Sequence, residues 1–200
     1  MINREIIEHT IIFRDDIFPD PVQDLMDKMS MFPFVNLHFS TDGGELHTMY
    51  ALVAYLNRRY EQESVRVYLD DICVSAGTFL LTDYNGPLFI QPTFRYFYFH
   101  APDFLSYKIR KDENDERLRD ILDVHNEAYY QKLSKEVGLT KSQVNRIRSG
   151  KHVHIFADEL DNLSKVFVTD DFFETRTSYI PFSAPKISTK TPPLAHPKIK

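Results

Sequence analysis

Between Phe34 and His100, strand-like runs alternate with segments of helical period, and this alternation limits the folds open to the chain more than any other feature. "FVNLHF", "VRVYLDDI", "LFIQP" and "RYFYFH" read as strands. After the turn "STDGG" a helix begins at Glu45 and carries Leu46, Met49, Tyr50, Val53 and Leu56 on one face. "VSAGTFLLTDY" reads as a second helix, entered directly from a strand. Strand, helix, strand, helix, strand is the pattern of right-handed β–α–β units around a largely parallel sheet.

The flanks extend this body. "HTIIFRDDI" reads as an edge strand, and "DPVQDLMDKMSMF" as a helix opened by Asp20 and Pro21, with Val22, Leu25, Met26 and Met29 on its apolar side. The longest helix is expected over residues 112–138. Leu118, Ile121, Leu122, His125, Tyr129 and Leu133 form its stripe, and Gly138 ends it. Thr140 and Gln143 stand at capping-box spacing ahead of a further short helix. The periodicity fades after Val168. Residues 1–168 are therefore expected to form one domain, and residues 169–200 a Pro- and Lys-rich extension that is mobile or held by a partner.

Composition removes several function classes. An apolar content of 42% in 200 residues supports a core of domain size. A formal charge of −5 gives no electrostatic reason to expect nucleic acid or an anionic membrane as partner. The lone cysteine, Cys73, excludes an internal disulfide and a cysteine-based zinc site. No signal peptide or membrane-length apolar run is read in the chain, so a cytoplasmic location without membrane contact is expected.

The residues that carry chemistry sit at the ends of the predicted strands. Gly43 and Gly44 join a strand to a helix, where glycines let backbone N–H groups face a carbonyl or an oxyanion, although a tight turn explains paired glycines as well. Ser75 falls at the next strand–helix junction, where packing alone accounts for small residues. His100 ends an aromatic strand before Ala101 and Pro102, and 25 residues separate it from Ser75.

Thr41-Asp42-Gly43-Gly44, Val74-Ser75-Ala76-Gly77-Thr78-Phe79-Leu80-Leu81 and Phe99-His100-Ala101-Pro102 together resemble, in order and spacing, the Clp protease proteolytic subunit family of serine peptidases. The resemblance covers roughly residues 10 to 168. It implies the α/β fold of the ClpP and crotonase-like superfold, with repeated β-α-β units and a protruding handle helix. It also implies a peptide or protein substrate, a ring-forming homo-oligomer and no cofactor. By resemblance Ser75 is the nucleophile, His100 the general base, and the N–H groups of Gly44 and Ala76 the oxyanion donors.

Two departures from the family pattern bear on activity. Where the family has its aspartate, alignment on "FADEL" places His152. Three readings stay open: His152 orients His100 as a neutral acceptor, a carboxylate such as Asp158 does so, or the triad is broken. The segment before Ile11 is also short for the family's axial-pore element, which argues against docking of a AAA+ unfoldase, and the family's Gly-Leu-Val-Asp ending is replaced by "SKVF". Four rival readings fit parts of the sequence: an inactive paralogue that serves as a structural or regulatory subunit, an acyl-CoA enzyme of the same superfold, a helix-turn-helix over "LTKSQVNRIRSGK", and a zinc site of His100, His152 and His154.

Overall fold

The computed structural model describes residues 8–101 and 115–168, with the backbone alone over 115–123. The predicted extension over 169–200, Pro102, and the side chains of Leu118, Ile121 and Leu122 lie outside these residues. In chain order the elements are β1 (His9–Arg14), α1 (Pro19–Ser30), β2 (Val35–Thr41), α2 (Leu46–Glu61), β3 (Val65–Val74), a 3-10 turn (Ser75–Thr78), α3 (Phe79–Asp83), β4 (Leu88–Ile90) and β5 (Tyr96–Phe99). There follow α4 (Asp115–Lys132), a π-helical turn (Leu133–Val137), α5 (Lys141–Arg148), β6 (Val153–Phe156), a 3-10 turn (Ala157–Asn162) and β7 (Val166–Val168).

One mixed sheet runs β1-β2-β3-β4-β7, and every neighbouring pair along that path is parallel. β1 forms an edge, as its sequence suggests. Strand β3 has ten residues and two neighbours along one side. Val67–Leu69 pair with β4, and Ile72–Val74 pair with β5. The change of neighbour coincides with an irregularity in β3. Its register against β2 moves from Phe39↔Leu69 to Thr41↔Cys73. The Ile72 amide displaced there donates to the hydroxyl of Ser40, 3.3 Å away. β5 continues into an antiparallel pair with β6.

The two faces of the sheet differ. Leu37, Phe39, Val67 and Leu69 are fully buried and belong to one apolar cluster with Val22, Leu25 and Met29 of α1 and Met49, Leu52, Val53 and Leu56 of α2. The alternate residues are polar or aromatic: Glu8 holds Asn36 (2.9 Å) and Arg66 (3.1 Å), and the Asp70 carboxylate meets His38 at 3.0 Å and Arg14 at 3.4 Å. A parallel sheet usually shows apolar residues on both faces. Here paired polar groups satisfy the second one.

Local expectations fare unevenly. Helix α1 starts at Pro19, one residue before the predicted cap, and Phe18 at its N-cap offers no side-chain acceptor. Pro19 and Pro21 fit the first turn, because the N–H groups they lack would have no intrahelical partner there. The predicted capping box is present: the Gln143 amide donates to Thr140 Oγ1 at 3.3 Å, and the Thr140 amide to Gln143 Oε1 at 2.8 Å. Gly138 ends the long helix in the left-handed region at φ 94°. Of the predicted stripe on α4, Tyr129 and Leu133 are buried but His125 is exposed, and Tyr130 is buried instead. "VSAGTFLLTDY" is a 3-10 turn followed by a short α-helix. No described helix is long and apolar enough to cross a membrane.

Leu69 is the last β3 residue on the core face before the irregularity. Leu69→Ala is expected to destabilise the fold by about 2–5 kcal/mol, read as a lower denaturant midpoint at unchanged slope.

Candidate active site

Parallel neighbours end at the same edge of a sheet, and β3 and β5 are parallel neighbours. Their last paired residues are Val74 and Tyr98, so Ser75 and His100 emerge side by side at the C-terminal edge, where α/β sheets commonly carry their sites. The Ser75 hydroxyl lies 2.6 Å from His100 Nε2. His100 Nδ1 lies 2.7 Å from the carbonyl oxygen of Ala101. A carbonyl only accepts, so the ring proton sits on Nδ1, and Nε2 presents its lone pair to the Ser75 O–H. That is the tautomer a general base requires.

Ser75 is one of two non-glycine residues with positive φ among the described residues, at 54°. An L-residue pays roughly 1–2 kcal/mol for that region, and residues so held cluster at functional sites. The turn preceding α2 packs directly against it. Gly43 has φ 107°, and a Cβ placed there would stand 2.6 Å from Ser75 Cβ and 3.2 Å from Ser75 Oγ. Gly44 has φ 144°, and a Cβ there would strike the backbone of Ile17. Ile17 holds the turn from the other side: its amide donates to Gly43 O at 2.7 Å, and its carbonyl accepts from the Glu45 amide at 2.8 Å. Packing also explains part of "SAGT". A Cβ on Gly77 would meet Thr41 Cγ2 at 2.5 Å, so the junction needs a small residue there. Ala76 is the second residue of the 3-10 turn, where the first amides have no intrahelical acceptor.

The predicted third member behaves differently. His152 Nδ1 lies 2.5 Å from the Tyr98 hydroxyl, and its ring centroid is 6.4 Å from that of His100. The structure does not bring His152 to His100 Nδ1, because the Ala101 carbonyl occupies that bond. Asp158 is farther still. The β5–β6 register runs antiparallel from Phe99↔Val153 to Tyr96↔Phe156, and the Ala157 amide bonds Arg95 O at 3.1 Å. Asp158 is thus at the opposite end of the ribbon from His100, on the order of 15 Å away. Among the described residues no carboxylate bonds His100, and no three His, Cys, Asp or Glu residues gather to hold a metal. Cys73 is buried, and burial pushes its thiol far above the ordinary range, so it is no rival nucleophile.

Sequence reasoning reached Ser75, His100 and the glycine pair but missed the Ala101 carbonyl, since a backbone acceptor leaves no residue-type signal. It also missed Thr78 and Tyr129, which stand behind Ser75. Thr78 Oγ1 donates to Ser75 O at 2.7 Å and lies 3.3 Å from the Tyr129 hydroxyl.

Gly43→Ala is expected to displace the Ser75 side chain and lower any Ser75-dependent rate on the order of 100-fold, as a shift of about 1 Å can. The rate of reaction with an active-site serine reagent, compared at matched folded fraction, reads this directly.

No family model matches the chain, and no curated protein matches it by sequence. Among solved structures it is similar to a ClpP1 point mutant from Listeria monocytogenes, at 12% identity and a TM-score of 0.57, over 81% of this chain and 92% of that one. That similarity shows a ClpP-like fold.

Proposed function

We propose that the chain is a serine endopeptidase of the Clp type that works through a Ser75–His100 dyad, with the Ala101 carbonyl in the place of the usual carboxylate. The observation that carries the reading is the continuous chain from Ser75 Oγ to His100 Nε2 at 2.6 Å and from His100 Nδ1 to Ala101 O at 2.7 Å. Ser75 Oγ attacks the scissile carbonyl while Nε2 takes its proton. The imidazolium then returns that proton to the leaving amine as the C–N bond breaks, and water releases the acyl group by the same route. The amides of Gly44 and Ala76 are the donors assigned to the oxyanion. Each such donor is worth roughly 2.7–4 kcal/mol of barrier.

The neutral acceptor sets the expected strength. In a serine peptidase, exchanging the buried aspartate for its amide costs roughly 10⁴ in rate because the imidazole takes the wrong tautomer. Ala101 O preserves the right tautomer and lacks only the charge that would stabilise the imidazolium. That same missing charge favours a second reading, a weak or inactive subunit that serves an assembly. In either reading α4 is the counterpart of the handle helix, the working form is a homo-oligomer, and the protein is cytoplasmic.

Labelling with a fluorophosphonate serine probe separates the two readings. Wild type is expected to label and Ser75→Ala to be blank. His100→Ala should label slower by roughly 10²–10⁴-fold, the usual worth of a positioned general base. His152→Ala should label at close to the wild-type rate, because its partner is Tyr98. Unlabelled wild type would sink the active reading in favour of the inactive subunit.

A further inference from the structure

The strained turn at Ser75 is braced from behind by a helix that is remote in sequence. Thr78 is fully buried, and its single hydroxyl proton is committed to Ser75 O at 2.7 Å. The Tyr129 hydroxyl, 3.3 Å from Thr78 Oγ1, must therefore be the donor in that contact. Tyr129 is 5% exposed and lies flat on Phe79, with ring centroids 4.6 Å apart and planes 12° apart. Burial pushes its phenol well above the ordinary value, so it stays a donor across the working range. A separate contact binds the same helix to the same site element: Lys132 Nζ meets Asp83 Oδ1 at 2.5 Å, and the second oxygen of Asp83 accepts from Thr82 at 2.5 Å.

We propose that Tyr129 and Thr78 are positioning residues for the nucleophile, a two-hydroxyl relay from α4 that fixes the Ser75 carbonyl and so holds the hydroxyl in line with His100 Nε2. The proposal rests on Ser75 being the nucleophile. Its physical content is narrow. At φ 54° the Ser75 peptide has lower-energy alternatives, and rotation toward them carries Oγ away from His100. A hydrogen bond on the Ser75 carbonyl opposes that rotation. The bond is strengthened when the donor hydroxyl itself accepts one from Tyr129. Neither residue touches substrate, so the effect falls on the rate of the Ser75 step and leaves substrate affinity unchanged.

The experiment measures the second-order rate of fluorophosphonate labelling of the full chain, together with its melting temperature. Tyr129→Phe keeps the stack on Phe79 and removes only the hydroxyl; it is expected to lower the rate roughly three- to tenfold, the worth of one such bond. Thr78→Val should lower it at least as much, and Thr78→Ser should restore it to near wild type. The double variant, Tyr129→Phe with Thr78→Val, should be no slower than Thr78→Val alone, since Tyr129 acts only through Thr78. Lys132→Ala removes the Asp83 contact while buried Tyr129, Tyr130 and Leu133 keep α4 in place, so it should leave the rate close to wild type while lowering the melting temperature. The proposal is overturned by a wild-type rate in Tyr129→Phe, by losses that multiply in the double variant, or by an equal loss in Lys132→Ala. Wild type that fails to label at all overturns the nucleophile reading and the relay with it, a result distinct from labelling that ignores Tyr129.

Discussion

A ten-residue strand that changes neighbour halfway along its length sets the geometry of the whole site. Were β3 to pair with β4 throughout, β5 would have no place beside Ser75. The irregularity between Leu69 and Cys73 turns the second half of β3 toward β5, and Ser40 absorbs the amide that the turn displaces. Arg95, at the start of β5, fastens the new pairing. Its amide bonds Asp71 O at 2.7 Å and its guanidinium grips the Asp71 carboxylate, which is held below the usual carboxylate range as a result. This clamp is exposed and worth little as an ion pair. Its value is in register. A slip of one residue at Ile72↔Tyr96 would turn Phe97 and Phe99 out of the core and carry His100 away from Ser75.

Register also decides what stands behind the histidine. On β6 the residues of the exposed face are His154 and Phe156, and His152 continues that alternation. They line up with Tyr98 and Tyr96 on β5 and with His100 just beyond it, so aromatic rings and imidazoles share one surface of the ribbon. A carboxylate at position 152 would face the Tyr98 hydroxyl and the edge of His100. The imidazole that is there bonds Tyr98 instead. With no acid offered by the ribbon, the chain's own next carbonyl fills the position. A histidine at the end of a strand needs only a bend after it for its ring to fold back on that carbonyl.

The sequence made the scaffold legible because each piece has a local cause. Alternation of strand and helical period, the Gly43-Gly44 turn, the Thr140–Gln143 box and the Gly138 terminator each follow from backbone preferences of a few residues. Ser75 and His100 were legible as a pair through the resemblance their motifs carry, and the parallel pairing of β3 with β5 is what brings them to the same edge. What escaped was set by tertiary register. Asp158 lies close to β6 in sequence, yet the antiparallel pairing sends it to the far end of the ribbon. His125 falls on the apolar stripe of α4 by spacing and is exposed, because Tyr129, Tyr130 and Leu133 define the contact and the helix passes into a π turn directly after them. Thr78 reads as one more small residue of "SAGT" until Tyr129 is brought to it across 51 positions.

The strain at Ser75 then has a definite meaning. A positive φ at a non-glycine residue persists only where the surroundings leave no alternative. Three elements remove the alternatives: the Gly43 backbone blocks the side chain from the α2 side, His100 holds the hydroxyl, and Thr78 holds the carbonyl. Two of these belong to the β–α–β unit itself. The third lies within the 3-10 turn, and α4 reaches it from behind through the Tyr129 hydroxyl, 3.3 Å from Thr78 Oγ1. The order of the Ser75 turn thus has both a local source, in the turn itself, and a distant one, in the packing of α4 behind Thr78.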